Sequence, residues 1–312
     1  MRISRIALLL AAVLICALAS TGTLAGVYSK ELVGPADFGF GIYERVEGSE
    51  AAGGLILSRS MNCVPYLWVP SPTASLVAKI DARSGRETAR YQMGPESSNW
   101  KPCAVAIDYA GNAYVACADG DTGHIVRIQA FGGSRSINRA PETTSFDFTG
   151  DGRADALPWG RDTRVSVVAE LRRKPTSLAF DQYGLLWVGL SGEQSIVALE
   201  ASTGVVFKTI YLPGNPDTMI VGSRDSLWVL CGDHSRLACV DPLLGAVRDT
   251  FDLGDLQPRS ICEGEEGMLW LGTGTGIAQF EVATGSVVAR SDAEIALGGI
   301  ATDRGGSVWA AC

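Results

Sequence analysis

Tryptophan recurs along this 312-residue chain in one fixed frame. Tyr66-Leu67-Trp68-Val69, Leu186-Trp187-Val188, Leu227-Trp228-Val229, Leu269-Trp270-Leu271 and Val308-Trp309 share it, and Ala113-Tyr114-Val115 is its aromatic variant. Successive aromatics stand 46, 73, 41, 42 and 39 residues apart. A period near 40, with four short strand-like runs per unit, is the pattern of blades stacked around a ring. The step of 73 is one such unit plus an insertion of about thirty residues.

The unit from Lys174 to Gly214 reads most clearly. Ser177 to Phe180 is a first strand, turned by Asp181-Gln182-Tyr183-Gly184. Leu185 to Leu190, Ser195 to Glu200 and Val205 to Leu212 are the second, third and fourth. Thr203-Gly204 supplies the last hairpin, where glycine takes the positive φ of a tight turn. The same plan recurs over Asn215 to Asp255 and Leu256 to Ile295, and Leu76 to Asp81 is the matching third strand of the first unit. The expected fold is all-β: a β-propeller of about six four-stranded blades, with seven blades or an incomplete ring as alternatives. The tryptophans are expected to pack between blades. The last blade breaks off just after Trp309, so closure needs an outer strand from elsewhere, and Phe38 to Tyr43 is the candidate. A fragment of a longer ring is the other reading.

Composition agrees with a turn-rich β protein: 46% apolar, 19% charged and 37 glycines. With 26 basic against 34 acidic residues the net charge is −8, which excludes the basic footprint of a nucleic-acid-binding protein. Residues 1–25 read as a secretory signal. Arg2 and Arg5 precede the apolar run Ile6 to Leu18, and Ala17-Leu18-Ala19 or Thr23-Leu24-Ala25 offers the cleavage site. Thirteen helical residues span about 20 Å, short of the ~30 Å hydrocarbon core, so no transmembrane anchor is expected. The mature chain is expected to be secreted, periplasmic or at the cell surface. Residues 26–54 form an N-terminal segment and 55–312 the propeller. Cys103 and Cys117 flank the hairpin at Asp108 to Asn112. If Asp108 pairs with Asn112, they face each other, as a cross-strand disulfide or as two buried thiols.

The units "KPTSLAFDQYGLLWVGLSGEQSIVALEASTGVV" and "LWVPSPTASLVAKIDARSGRETARY" resemble secreted bacterial propellers of the streptogramin (virginiamycin B) lyase-like and YVTN/NHL-repeat superfamily, over roughly residues 55 to 312. The resemblance implies the fold strongly and one activity weakly. A lyase of that type implies a magnesium-assisted elimination using histidine and glutamate at the ring mouth. This chain holds two histidines, His124 and His234, and neither stands at a matching repeat position.

The insertion, at about 129–163 between the third and fourth strands of the second blade, contains Asp147-Phe148-Thr149-Gly150-Asp151-Gly152-Arg153-Ala154-Asp155. This D-x-T-G-D-G-x-x-D run matches the first nine positions of an EF-hand-type loop. Ca²⁺ takes six to eight hard oxygens, and alternate residues of a curled loop converge on one centre. Asp147, Thr149 and Asp151 would supply side chains, Arg153 its carbonyl, and Asp155 a direct or water-mediated contact. Pro158 stands where a complete EF-hand has its bidentate Glu, a departure shared with FG-GAP and dockerin-type loops, which the run resembles. An acidic turn without an ion is the plainer alternative. Leu157-Pro158-Trp159-Gly160 then packs the returning chain onto the blade.

Because strand direction alternates, the second-to-third and fourth-to-first connections share one face. That face should gather Trp100, Asp119, Asp121, His124, Glu193, Asp233 and His234, with the calcium insertion opposite. Trp100 sits in a polar loop and is expected to be partly exposed there, able to stack on a ligand. The expected role is a calcium-binding interaction module for a carbohydrate, peptide or protein ligand. The alternative is an enzyme: a metal-assisted carbon–oxygen lyase or a lactonase-type hydrolase at the ring centre.

Overall fold

A computed structural model describes residues 46–49, 54–57, 66–130, 144–148, 153–223, 226–232, 235–265, 267–292, 299–303 and 305–311. The expected signal segment, the candidate strand Phe38 to Tyr43, and the site candidates Thr149, Asp151, Asp233 and His234 lie outside them. The chain divides into two compact units, residues 1–63 and 64–312. In the first, β1 (Val46–Ser49) and β2 (Gly54–Leu57) pair as an antiparallel hairpin.

The second unit is built of antiparallel sheets in chain order, with no α-helix among the described residues. Blade 1 has three strands, β3 (Tyr66–Ser71), β4 (Leu76–Asp81) and β5 (Glu87–Gln92). Blade 2 has four: β6 (Lys101–Ile107), β7 (Ala113–Asp119), β8 (Thr122–Ile128) and β9 (Val165–Leu171). Blade 3 comprises β10 (Pro175–Phe180), β11 (Leu185–Leu190), β12 (Ser195–Glu200) and β13 (Val206–Tyr211). Blade 4 comprises β14 (Pro216–Gly222), β15 (Ser226–Cys231), β16 (Arg236–Asp241) and β17 (Ala246–Asp252). Blade 5 comprises β18 (Ser260–Glu263), β19 (Met268–Gly272), β20 (Gly276–Glu281) and β21 (Ser286–Asp292). A sixth sheet has two strands, β22 (Gly299–Thr302) and β23 (Val308–Ala311). The first strands β6, β10, β14, β18 and β22 lie side by side in that order, as the inner strands of a propeller do.

Each hydrophobic core lies between two successive blades, and the recurring aromatic sits in it. Trp68 joins blades 1 and 2, Tyr114 blades 2 and 3, Trp187 blades 3 and 4, and Trp228 blades 4 and 5. Trp187 is fully buried, whereas Trp309, on the last sheet, is 66% exposed. At four of the recurring aromatics the residue six places upstream adapts to the ring. Asp181 Oδ2 accepts the Trp187 indole N–H at 2.9 Å and Asp303 Oδ2 that of Trp309 at 3.0 Å, while each Oδ1 holds two backbone amides of the turn. At Gly222 and Gly264 the ring leans on the backbone instead, so that a Cβ would stand 2.8 Å and 2.9 Å from the indole nitrogens of Trp228 and Trp270.

Two bulges recur. In the fourth strands, Thr88, Val168, Phe207, Arg248 and Val288 are each the extra residue against the third strand, which adds the twist a blade needs. In the inner strands, Cys103, Thr176 and Asp217 are the extra residues. The inner bulge corrects the reading of the cysteines. Asp108 N–H does bond the Asn112 carbonyl, but the bulge shifts the register, so that Pro102 faces Cys117 and Cys103 faces nothing. Both are free thiols. The Cys103 thiol bonds the carbonyls of Ala116 and Pro175 at 3.3 Å.

Candidate functional site

Trp100 ends the connection from blade 1 into β6, and His124 follows the turn between β7 and β8. These two rings stack, with centroids 3.5 Å apart and planes 18° from parallel. Trp159 meets Trp100 edge-on, at 5.2 Å and 73°. Asp119, which closes β7, brings Oδ2 to 3.8 Å from His124 Nε2, and Glu170 faces His124 across the β8–β9 pair. The His124 Nδ1 is buried without a hydrogen-bond partner. Burial pulls the imidazole below its ordinary pKa, against the opposite pull of the Asp119 and Glu170 carboxylates. Desolvation of the charged form wins here, so the ring is neutral at pH 7.

Three predicted residues, Trp100, Asp119 and His124, thus come together, and Asp121 is exposed in the same turn. Glu193 lies in the corresponding turn of blade 3, where its Oε1 accepts a bond from Arg173 Nε at 3.0 Å. Trp100 is half-buried.

The path of the insertion differs from the expected one. It leaves β8 at the opposite rim, but Trp159 returns to Trp100, and both pack on the core shared by blades 1 and 2, near Tyr91 and Met93. The physical cause is burial. Blade 1 offers an apolar flank, and a tryptophan in the insertion covers it. Sequence reading gave Trp159 a packing role but no partner, because spacing does not tell how a long insertion travels.

The insertion is tied down by hydrogen bonds. Asp162 Oδ2 accepts bonds from the Ser145 amide and hydroxyl at 2.9 and 2.7 Å, and Ser145 Oγ accepts the Leu157 amide at 3.0 Å. Around the predicted metal loop, the Asp155 amide bonds the Phe146 carbonyl at 3.0 Å, and Asp155 Oδ2 accepts the Phe148 amide at 2.9 Å. These two bonds bracket Asp147 and draw the first and ninth loop positions together. Among the described residues no group of three or more His, Cys, Asp or Glu converges there. Residues 149–152, with the candidates Thr149 and Asp151, lie outside the described residues, and Arg153 is exposed.

On the other face, a hollow of about 160 Å³ opens between blades 4 and 5, with Trp228, Cys239, Leu269 and Val282 as its floor and Glu263 at its edge.

No family model and no curated protein sequence matches the chain. Solved structures do. A streptogramin B lyase is 16% identical with a TM-score of 0.57, covering 78% of this chain and 72% of that one. The fold is a β-propeller. The virginiamycin B lyase of Staphylococcus aureus is similar at 16% identity and a TM-score of 0.54, over 78% of this chain and 73% of that chain. A catalytically inactive form of the same enzyme with quinupristin gives 16% and 0.53, over 81% and 79%. At this identity the likeness carries the architecture of the lyase-type propellers and leaves the chemistry to the residues.

Proposed function

We propose that this chain is a secreted, calcium-binding β-propeller that acts as a binding module at the cell surface or in the periplasm. The observation that carries it is the Trp100 stack. The indole stacks on His124 and makes an edge-to-face contact with Trp159, so the half-buried ring is held in place as a platform rather than a mobile side chain. A rigid aromatic with a carboxylate beside it suits a sugar ring or an apolar side chain carrying a polar group. Asp147, Thr149, Asp151, the Arg153 carbonyl and Asp155 would hold calcium, which supplies structural cross-linking of the insertion. Extracellular calcium modules bind at about 10⁻⁴–10⁻³ M.

Lyase or lactonase chemistry is the second reading, favoured by the fold of the solved relatives. Against it, the His124 ring is stacked under Trp100 with its Nδ1 buried, a poor placement for proton transfer to a substrate.

The test is a glycan and peptide array probed with labelled protein, in calcium, using wild type, Trp100→Ala and Trp309→Ala. Binding by wild type and Trp309→Ala, lost in a Trp100→Ala variant that is still folded at the assay temperature by circular dichroism, is expected. Binding that survives Trp100→Ala would move the site elsewhere.

A further inference from the structure

The hollow of about 160 Å³ between blades 4 and 5 belongs neither to the aromatic platform nor to the calcium loop. Its origin lies in what stands beside the recurring aromatic. The third strand of a blade sets one residue directly opposite that ring: Lys79 opposite Trp68, Arg127 opposite Tyr114, and Cys239 opposite Trp228. Directly opposed residues project from the same face of a sheet. In blade 1 the long side chain fills the space beside the ring, with Lys79 Nζ 5.6 Å from the centre of Trp68. In blade 4 the same position holds only a thiol. The Trp228 ring leans on the backbone of Gly222, where blade 3 has Asp181. The short Cys239 leaves the space beside the ring open.

The walls and the rim of this hollow differ in chemistry. Trp228, Cys239 and Leu269 are buried, and Val282 adds a further apolar wall. Burial pushes the Cys239 thiol up from its ordinary pKa, so it lines the hollow as a neutral group. Glu263, Arg248 and Asp249 stand at the rim. Arg248 is already matched, its Nη2 lying 2.6 Å from Asp241 Oδ2. The half-buried Glu263 is held in position by the Ser223 amide, which donates to its Oε1 at 2.8 Å. Among the described residues no Lys or Arg forms an ion pair with Glu263 or Asp249. Counting Asp241 with the arginine that it holds, Asp241, Asp249 and Glu263 set three carboxylates against one guanidinium. An apolar hollow under an acidic rim selects a ligand with an apolar body and a cationic head.

We infer that this hollow binds a small organic cation, an ammonium group carried on a single ring. A cavity of about 150 Å³ lined by apolar side chains accommodates one benzene molecule, so the size here sets the limit at one ring. The ring displaces water from the Trp228 and Leu269 surfaces. The ammonium donates to the Glu263 carboxylate, which the Ser223 amide has already oriented, so that little ordering is left to be done on binding.

The experiment is isothermal titration at low ionic strength with benzylammonium, benzyl alcohol and benzoate, on full-length protein whose fold is checked by circular dichroism. Benzylammonium should bind most tightly and benzoate least. Glu263→Gln, which keeps an oxygen for the Ser223 amide, should weaken benzylammonium by about threefold to tenfold and leave benzyl alcohol unchanged. Cys239→Met and Val282→Met, which fill the hollow from its two blades, should abolish binding of both, and Glu263→Gln tests the charge with the core untouched. No binding of benzylammonium, benzoate binding as tightly as benzylammonium, or a Glu263→Gln variant equal to wild type would overturn the inference. So would benzylammonium binding that survives in a folded filling variant and is lost in Trp100→Ala, since that result assigns it to the aromatic platform.

Discussion

At the scale of single residues, the same side chain does different work in different blades. Trp187 is fully buried and its N–H is held by Asp181, whereas Trp309 has the same Asp partner and is 66% exposed. Trp187→Ala should cost about 3–5 kcal/mol, and Trp309→Ala within roughly 0.5 kcal/mol, read from denaturant midpoints. Asp181→Ala leaves a buried indole N–H unpaired and should cost about 1–3 kcal/mol. The aromatic frame was legible in the sequence because burial between blades demands it at every repeat. Asp181, six places upstream, was read only as part of a turn, since the indole bond needs three dimensions to be seen. His124 gives a pH test. Its folded pKa lies below the unfolded value of about 6.5, so the unfolded chain takes up the proton first. The stability of the neutral buried ring is complete above about pH 6.5 and falls as pH drops towards the folded pKa. Melting temperature followed from pH 8 to 5 should fall less in His124→Gln than in wild type; equal falls would place the sensitivity elsewhere.

At the scale of elements, strand order and hairpins followed from alternation and turn residues, and β4, β11 and β12 match their expected bounds. What counting could not supply was the bulge. One extra residue at Cys103 separates two cysteines that a regular ladder would put face to face. The expected chemistry follows from that: Cys103 and Cys117 remain unlinked, and mass spectrometry after alkylation under denaturing conditions should find both modified. A peptide joined through them would contradict the register. The bulge residue Thr176 donates its hydroxyl to the Pro216 carbonyl of the next blade at 2.7 Å, and Thr176→Val, which removes that bond, should destabilise by about 0.5–1.5 kcal/mol in denaturant melts. The insertion was recognised from its length and its acidic spacing, but its route to Trp100 was not, because thirty residues can travel either way around a blade.

At the scale of the whole molecule, stability is distributed between neighbouring blades, with each core shared by two of them. Such stacking makes the terminal units the least protected. The two-stranded sheet β22–β23 should therefore exchange its amide hydrogens faster than the inner strands of blades 3 and 4. The insertion adds a separate tie, joining blade 1 to blade 2 through Trp159, and a calcium ion in the 147–155 loop would tighten it. Ligand at about 100 times its Kd adds ~2.7 kcal/mol to the folded state. The most direct measurement is calorimetric melting of the protein in excess calcium and in EGTA, for wild type and Asp151→Ala. A melting temperature raised by calcium in wild type and insensitive to it in Asp151→Ala is the predicted result. Identical melting of wild type with calcium and with EGTA would contradict the calcium-binding propeller.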